Sequence, residues 1–146
     1  MTYLEAVNKV LRRLREDEVV SVSSNPYSKL IGELVNDAKR LVEDAWDWSS
    51  LRTTLTVNTT AGVFSYNLVG SGTGIKTLDV INETSNVFME QTPASWMNNV
   101  FLNQSPPESS PSYYAWNGFN DDGYAVVDIY PIPDTVYILR FNVVNR

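Results

Sequence analysis

A chain of 146 residues with 43% hydrophobic and 19% charged side chains has the balance of an ordinary globular protein, with room for one compact unit or a β module carrying a helical appendage, and too little for two large domains. Cysteine and histidine are both absent, which excludes disulfides, thiolate nucleophiles, zinc held by either residue, and histidine-based catalytic triads. The formal charge of −6 opposes a surface that grips nucleic-acid phosphates, because such binding draws on clustered Lys and Arg.

Thr2 and Glu5 have the spacing of a capping box, and Leu4, Val7, Leu11 and Leu14 recur at helical steps, so a first helix is predicted over residues 2–15. Arg12, Arg13 and Arg15 fall at its negative end. A β-branched connector, Val19-Val-Ser-Val22, leads to Asn25-Pro26, a cap residue followed by proline at the first helical position. From there a broad apolar stripe from Tyr27 through Leu30, Ile31, Leu34, Leu41 and Val42 to Trp46 predicts a second helix over 26–47. It outruns the first, so part of its stripe needs cover from the β module or from another subunit.

Helical spacing stops after Trp48. Residues 51–68 read as a hairpin turning at Ala61-Gly62, and residues 75–82 and 87–91 as a second strand pair. Between them, residues 70–74 form a Gly/Ser turn that lacks the Lys-Ser/Thr of a phosphate loop. Thr92-Pro93 announces a short helix holding Trp96, Met97, Val100 and Phe101. Pro106, Pro107 and Pro111 then mark residues 103–111 as an exposed connector. Three strands near 112–117, 124–130 and 135–144 complete an α+β fold, with two N-terminal helices (1–48) packed on an antiparallel β-sandwich or barrel (49–146) that carries one short inserted helix.

Chemistry has few places to reside. Asp44 with Asp47, and Asp121 with Asp122 near Asp128, are the carboxylate groups that could bind a cation or share acid and base duties. The first pair sits at a helix end, however, and Asp122-Gly123 is a hairpin corner. Neither a catalytic nor a metal or cofactor site is expected. The aromatic residues, including Trp46, Trp48, Trp96 and Trp116, support a rival reading as a carbohydrate-binding β-sandwich, although core packing accounts for many of them. No run approaches the roughly 20 apolar residues of a membrane helix, and the first residues lack a signal-peptide pattern, so a soluble, unexported product is expected.

Three segments carry a resemblance. Glu5-Ala-Val-Asn-Lys-Val-Leu11 with its Val-Val-Ser-Val connector, the helix ending in Asp44-Ala-Trp-Asp-Trp48, and Pro111-Ser-Tyr-Tyr-Ala115 together with Ile129-Tyr-Pro-Ile-Pro-Asp-Thr-Val-Tyr137 resemble the head-to-tail adaptors (tail tubular, head-completion connectors) of short-tailed bacteriophages. The resemblance implies a structural virion protein of the neck, made in the host cytoplasm and assembled as a dodecameric ring. Its partners would be other copies of itself, the portal protein and the tail nozzle protein, with no membrane. DNA would pass through the channel during ejection without sequence-specific binding. Relatives commonly continue into further helices, so the portal-docking element is expected either beyond Arg146 or in the N-terminal helices. The residues expected at interfaces are Arg12, Arg13 and Arg15 on the helical end, and Asn117, Phe119, Asn120, Asp121 and Asp122 around a hairpin tip.

Overall fold

A computed structural model describes residues 1–72, 74–103 and 105–145, arranged as two compact units, Met1–Asp47 and Trp48–Arg146. Thr73 of the predicted Gly/Ser turn, Gln104 of the connector and the terminal Arg146 lie outside the described residues.

In the first unit, α1 spans Tyr3–Arg13 and α2 spans Pro26–Ala45. Both predicted caps form. Thr2 Oγ1 accepts from the Glu5 amide at 3.2 Å, and Glu5 Oε2 accepts from the Thr2 amide at 2.7 Å. Asn25 Oδ1 accepts from the Ser28 amide at 2.7 Å, with Pro26 at the first helical position. Helix α1 ends two residues earlier than its periodicity predicts. Arg15 takes a left-handed conformation (φ 62°), and the amides of Arg15 and Glu16 close back on the carbonyls of Arg12 and Leu11 at 3.2 and 3.0 Å, a double closure that satisfies end carbonyls.

The small core of this unit is Val7, Leu11 and Ile31, flanked by Val10, Val19, Val22 and Val35. Gly32 permits the close approach: a Cβ there would lie 2.5 Å from the Tyr3 hydroxyl and 2.7 Å from Val22 Cγ1. At about 1.5 Å per residue, α2 runs about 30 Å and α1 about half that. Only Ser28, Ile31 and Gly32 of α2 are buried. Trp46, predicted on the covered stripe, is instead 68% exposed and extended at the helix end.

Among the described residues of the second unit, eight strands form two sheets of four. A 3-10 turn, Ser49–Leu51, leads into β1 (Arg52–Asn58), followed by β2 (Ser65–Leu68), β3 (Ile75–Asn82), β4 (Val87–Phe88), β5 (Glu90–Gln91), α3 (Ala94–Asn103), β6 (Tyr113–Phe119), β7 (Ala125–Tyr130) and β8 (Ile138–Asn145). One sheet has the order β1-β8-β3-β4 and the other β2-β7-β6-β5. The open sandwich, not the barrel, is the observed alternative.

Three local expectations are corrected. The segment 51–68 is no hairpin, because β1 pairs with β8 in one sheet and β2 with β7 in the other. The intervening loop is pinned away from a tight turn by the Tyr66 hydroxyl, which accepts from the Thr60 amide at 3.0 Å and donates to the Val63 carbonyl at 2.7 Å. Segment 87–91 is likewise not one strand. Val87 and Phe88 pair with β3, Met89 is buried between the sheets, and Glu90 and Gln91 pair with β6. Finally, β5 and β6 run parallel, since α3 and the connector supply the long crossover that parallel neighbours require. The Gly/Ser turn is also anchored: Ser71 is buried, and its Oγ accepts from the Ala125 amide at 2.8 Å.

Val57, Leu68, Val80, Val127, Ile129, Leu139, Phe141 and Val143 fill the space between the sheets. Alternation along β6 and β7 sends Tyr114, Val127 and Ile129 into that core and Tyr113, Ala115, Asp128 and Tyr130 to the opposite face. There α3 lies across them. Trp96 lies tilted against Tyr113 at 5.6 Å and edge-on at 5.5 Å to Tyr130, and Phe101 bridges Tyr130 and Phe64.

Candidate assembly surfaces

The eight residues expected at interfaces fall in different units. Arg12 is exposed and pairs with Glu18 at 3.1 Å, an arrangement worth under about 1 kcal/mol at a wet surface. Arg13, one turn beyond Lys9, stands on the lip of a groove of about 290 Å³ between α1 and α2, lined by Met1, Ala6, Val10, Val35 and Ala38. Arg15 occupies the left-handed position that ends α1. Its backbone role is structural, and its side chain is exposed.

Residues 117–123 do form the tip of the β6–β7 hairpin, with Asp121 and Asp122 exposed. Asn120 builds the turn: its Oδ1 accepts from the Tyr124 amide at 2.8 Å, and its carbonyl accepts from Gly123, whose φ of 80° suits glycine. Phe119 is 53% exposed beside it. A bulge between Trp116 and Phe119, with Gly118 at φ 82°, turns Asn117 so that its Nδ2 donates to Asp128 Oδ2 at 2.9 Å. Asn117 therefore holds the tip to the sheet. The tip offers an apolar ring beside two carboxylates on a stiffened turn.

Asp121 and Asp122 do not share the surroundings of Asp128. Asp128 is buried on β7 with one oxygen lacking a partner, whereas Asp121 and Asp122 sit in solvent at the turn. Among the described residues, no group of three or more Asp or Glu could hold a metal ion. Of the four tryptophans, Trp96 meets its neighbours at 52° and 90° and Trp116 is packed against Phe141 and Tyr114, so neither presents a flat stacking face, whereas Trp46 and Trp48 are exposed. No helix among the described residues is long and apolar enough to cross a membrane.

Three tyrosines are tied into the second unit, and each titrates above the ordinary value of 10.0. Burial raises Tyr66 and Tyr114, while Tyr137 is raised chiefly by donating to Asp134 Oδ1 at 2.7 Å. The folded state thus holds these protons more tightly than the unfolded chain. Their contribution to stability is complete below pH 10 and drains away as the pH climbs from 10 through the raised folded values. Thermal unfolding between pH 9 and 12 should show a melting temperature falling above pH 10, less steeply in Tyr114→Phe. A flat profile in the parent protein would contradict this.

A family model described as SU10 adaptor protein matches residues 1–146. The chain belongs to that adaptor family. No curated protein matches it. As an adaptor it is a phage structural protein and a virion component.

The structure gives the adaptor's motifs physical reasons. In Ala6-Val-Asn-Lys-Val-Leu11, Val7 and Leu11 are the core of the first unit. Asn8 both donates to the Val19 carbonyl and accepts from the Val19 amide at 3.0 Å, clamping the connector as a neighbouring strand would. In Tyr130-Pro-Ile-Pro-Asp-Thr-Val-Tyr137, the Asp134–Tyr137 hydrogen bond fixes the spacing, and the Tyr130–Pro131 peptide is cis. The surface the sequence left unassigned is the outer row of α2, Leu30, Leu34 and Leu41, read there as stripe to be covered. The mismatch in helix lengths was its signal.

Proposed function

We propose that this adaptor assembles as a dodecameric ring between portal and tail nozzle and extends the DNA channel without catalysing a reaction. The family match over the full length supports the reading, and the two-unit build suits it. A ring needs two different complementary patches and a closing rotation. The helical unit, with Arg12, Arg13 and Arg15, supplies one set of contacts, and the tip around Asn117, Phe119, Asn120, Asp121 and Asp122 supplies another.

Residues 49–146 hold four basic against eight acidic residues. An acidic wall repels phosphates and lets duplex DNA slide. The packing of Trp96 and Trp116 among other aromatic rings weighs against a carbohydrate module. Light scattering of the purified chain, alone and with candidate portal, tests the proposal: a ring mass or a ring–portal complex is expected. A protein that stays monomeric and never binds portal would sink it.

A further inference from the structure

Helix α2 leaves a continuous apolar row uncovered. Leu30, Leu34 and Leu41 are 50%, 56% and 72% exposed, and their spacing of four and seven places them on one face. That face is distinct from the one carrying Ile31 and Val35 toward α1. Three leucines in register over about three turns are more than scattered surface hydrophobes. Along one edge of the row run Glu33 and Asp37, each three residues beyond a leucine. The unit also has a groove to receive such a row: Ala6, Val10, Val35 and Ala38 form its apolar floor, and Lys9 and Arg13 its basic lip. Among the described residues, no ion pair engages Lys9, Arg13, Glu33 or Asp37.

We propose that α2 of one copy docks through Leu30, Leu34 and Leu41 into the α1–α2 groove of a second copy, with Glu33 and Asp37 set against Lys9 and Arg13. Charge chooses this occupant. Pairing two leucine rows across a twofold axis would set Glu33 and Asp37 of the two copies along one seam, with Lys29 and Arg40 beside them, whereas row into groove sets them against Lys9 and Arg13 and uses a different patch on each partner. Such a contact is head-to-tail, the type that builds a ring when the rotation per subunit closes. The inference rests on the ring reading above and adds to it the surfaces that make the subunit junction.

The test uses the full chain in two charge-reversed forms, Lys9→Glu with Arg13→Glu, and Glu33→Lys with Asp37→Lys. All four positions are exposed, and circular dichroism checks that both variants fold. In sedimentation velocity, each variant alone should associate at least about tenfold more weakly than the parent, through like charges at the junction. An equimolar mixture should regain assembly, because every alternating junction then joins opposite signs. Where assembly needs portal as a template, the same comparison is made on portal. Variants that assemble as well as the parent, or a mixture that fails to recover, overturn the docking and leave the ring reading intact. A parent chain that forms no oligomer, alone or on portal, removes both.

Discussion

Truncating Phe141 to alanine is expected to cost the β-sandwich about 3–5 kcal/mol, the range for removing a fully buried aromatic ring. Phe141 is completely buried on β8, the strand that pairs with both β1 and β3. Its ring meets Tyr114 at 6.2 Å and 84°, and Trp116 at 6.1 Å and 54°, so it joins the two sheets at the middle of the core. The strands around it are held by full ladders and cannot collapse into the void. Since about 1 kcal/mol shifts the melting temperature of a unit this size by about 4–8 °C, the drop should be at least about 12 °C. Phe141→Leu, which keeps most of the volume, should recover the greater part. Chemical unfolding followed by tryptophan fluorescence compares both variants with the parent, and a loss under about 1 kcal/mol for the alanine variant would show that Phe141 is not the centre of the core.

Replacing Asn82 by leucine is expected to cost roughly 2–4 kcal/mol, although leucine is the more hydrophobic residue. Asn82 is fully buried at the end of β3. Its Nδ2 donates to Ser110 Oγ and to the Pro111 carbonyl, both at 3.1 Å, and its Oδ1 accepts from the Ser85 amide at 3.1 Å. Leucine would leave a buried carbonyl and an amide without partners, and each orphaned group costs about 1–3 kcal/mol. Because the same side chain ties the β3–β4 turn to the end of the proline-rich connector, the damage should be local before it is global. Faster hydrogen exchange at the Ser85 amide and earlier proteolysis within residues 105–110 should accompany the lost stability. Unchanged exchange at Ser85 would contradict the clamp.

These two residues show where reading the chain succeeds and where it stops. Phe141 was legible as core because β8 alternates: Leu139, Phe141 and Val143 face inward while Arg140 and Asn142 are only partly buried. Asn82 was not legible. Two of its three partners lie 28 and 29 residues away, and no local pattern marks an asparagine as buried. The same division runs through the candidate surfaces. The Asp122-Gly123 corner predicted an exposed hairpin tip, and the tip is there. That Asn117 turns back to a buried Asp128 depends on a bulge, which register alone creates.

The chain's own order of residues determined the helices and where they start. Capping boxes, Pro26 at the start of α2 and the period-two strands are local devices, and each acts within a few residues. It also determined the absence of thiol and imidazole chemistry, which follows from composition alone. Only the tertiary structure decided the partners. It sent β1 and β2 to different sheets, split residues 87–91 between the two, and set β5 parallel to β6. The reason is that sheet membership is fixed by distant strands competing for the same hydrogen-bonding edge and core volume. The tertiary structure likewise left Leu30, Leu34 and Leu41 exposed, on a face of α2 other than the one that carries Ile31 and Val35 toward α1. Periodicity can place a residue on a helix face, but only packing shows whether that face is covered.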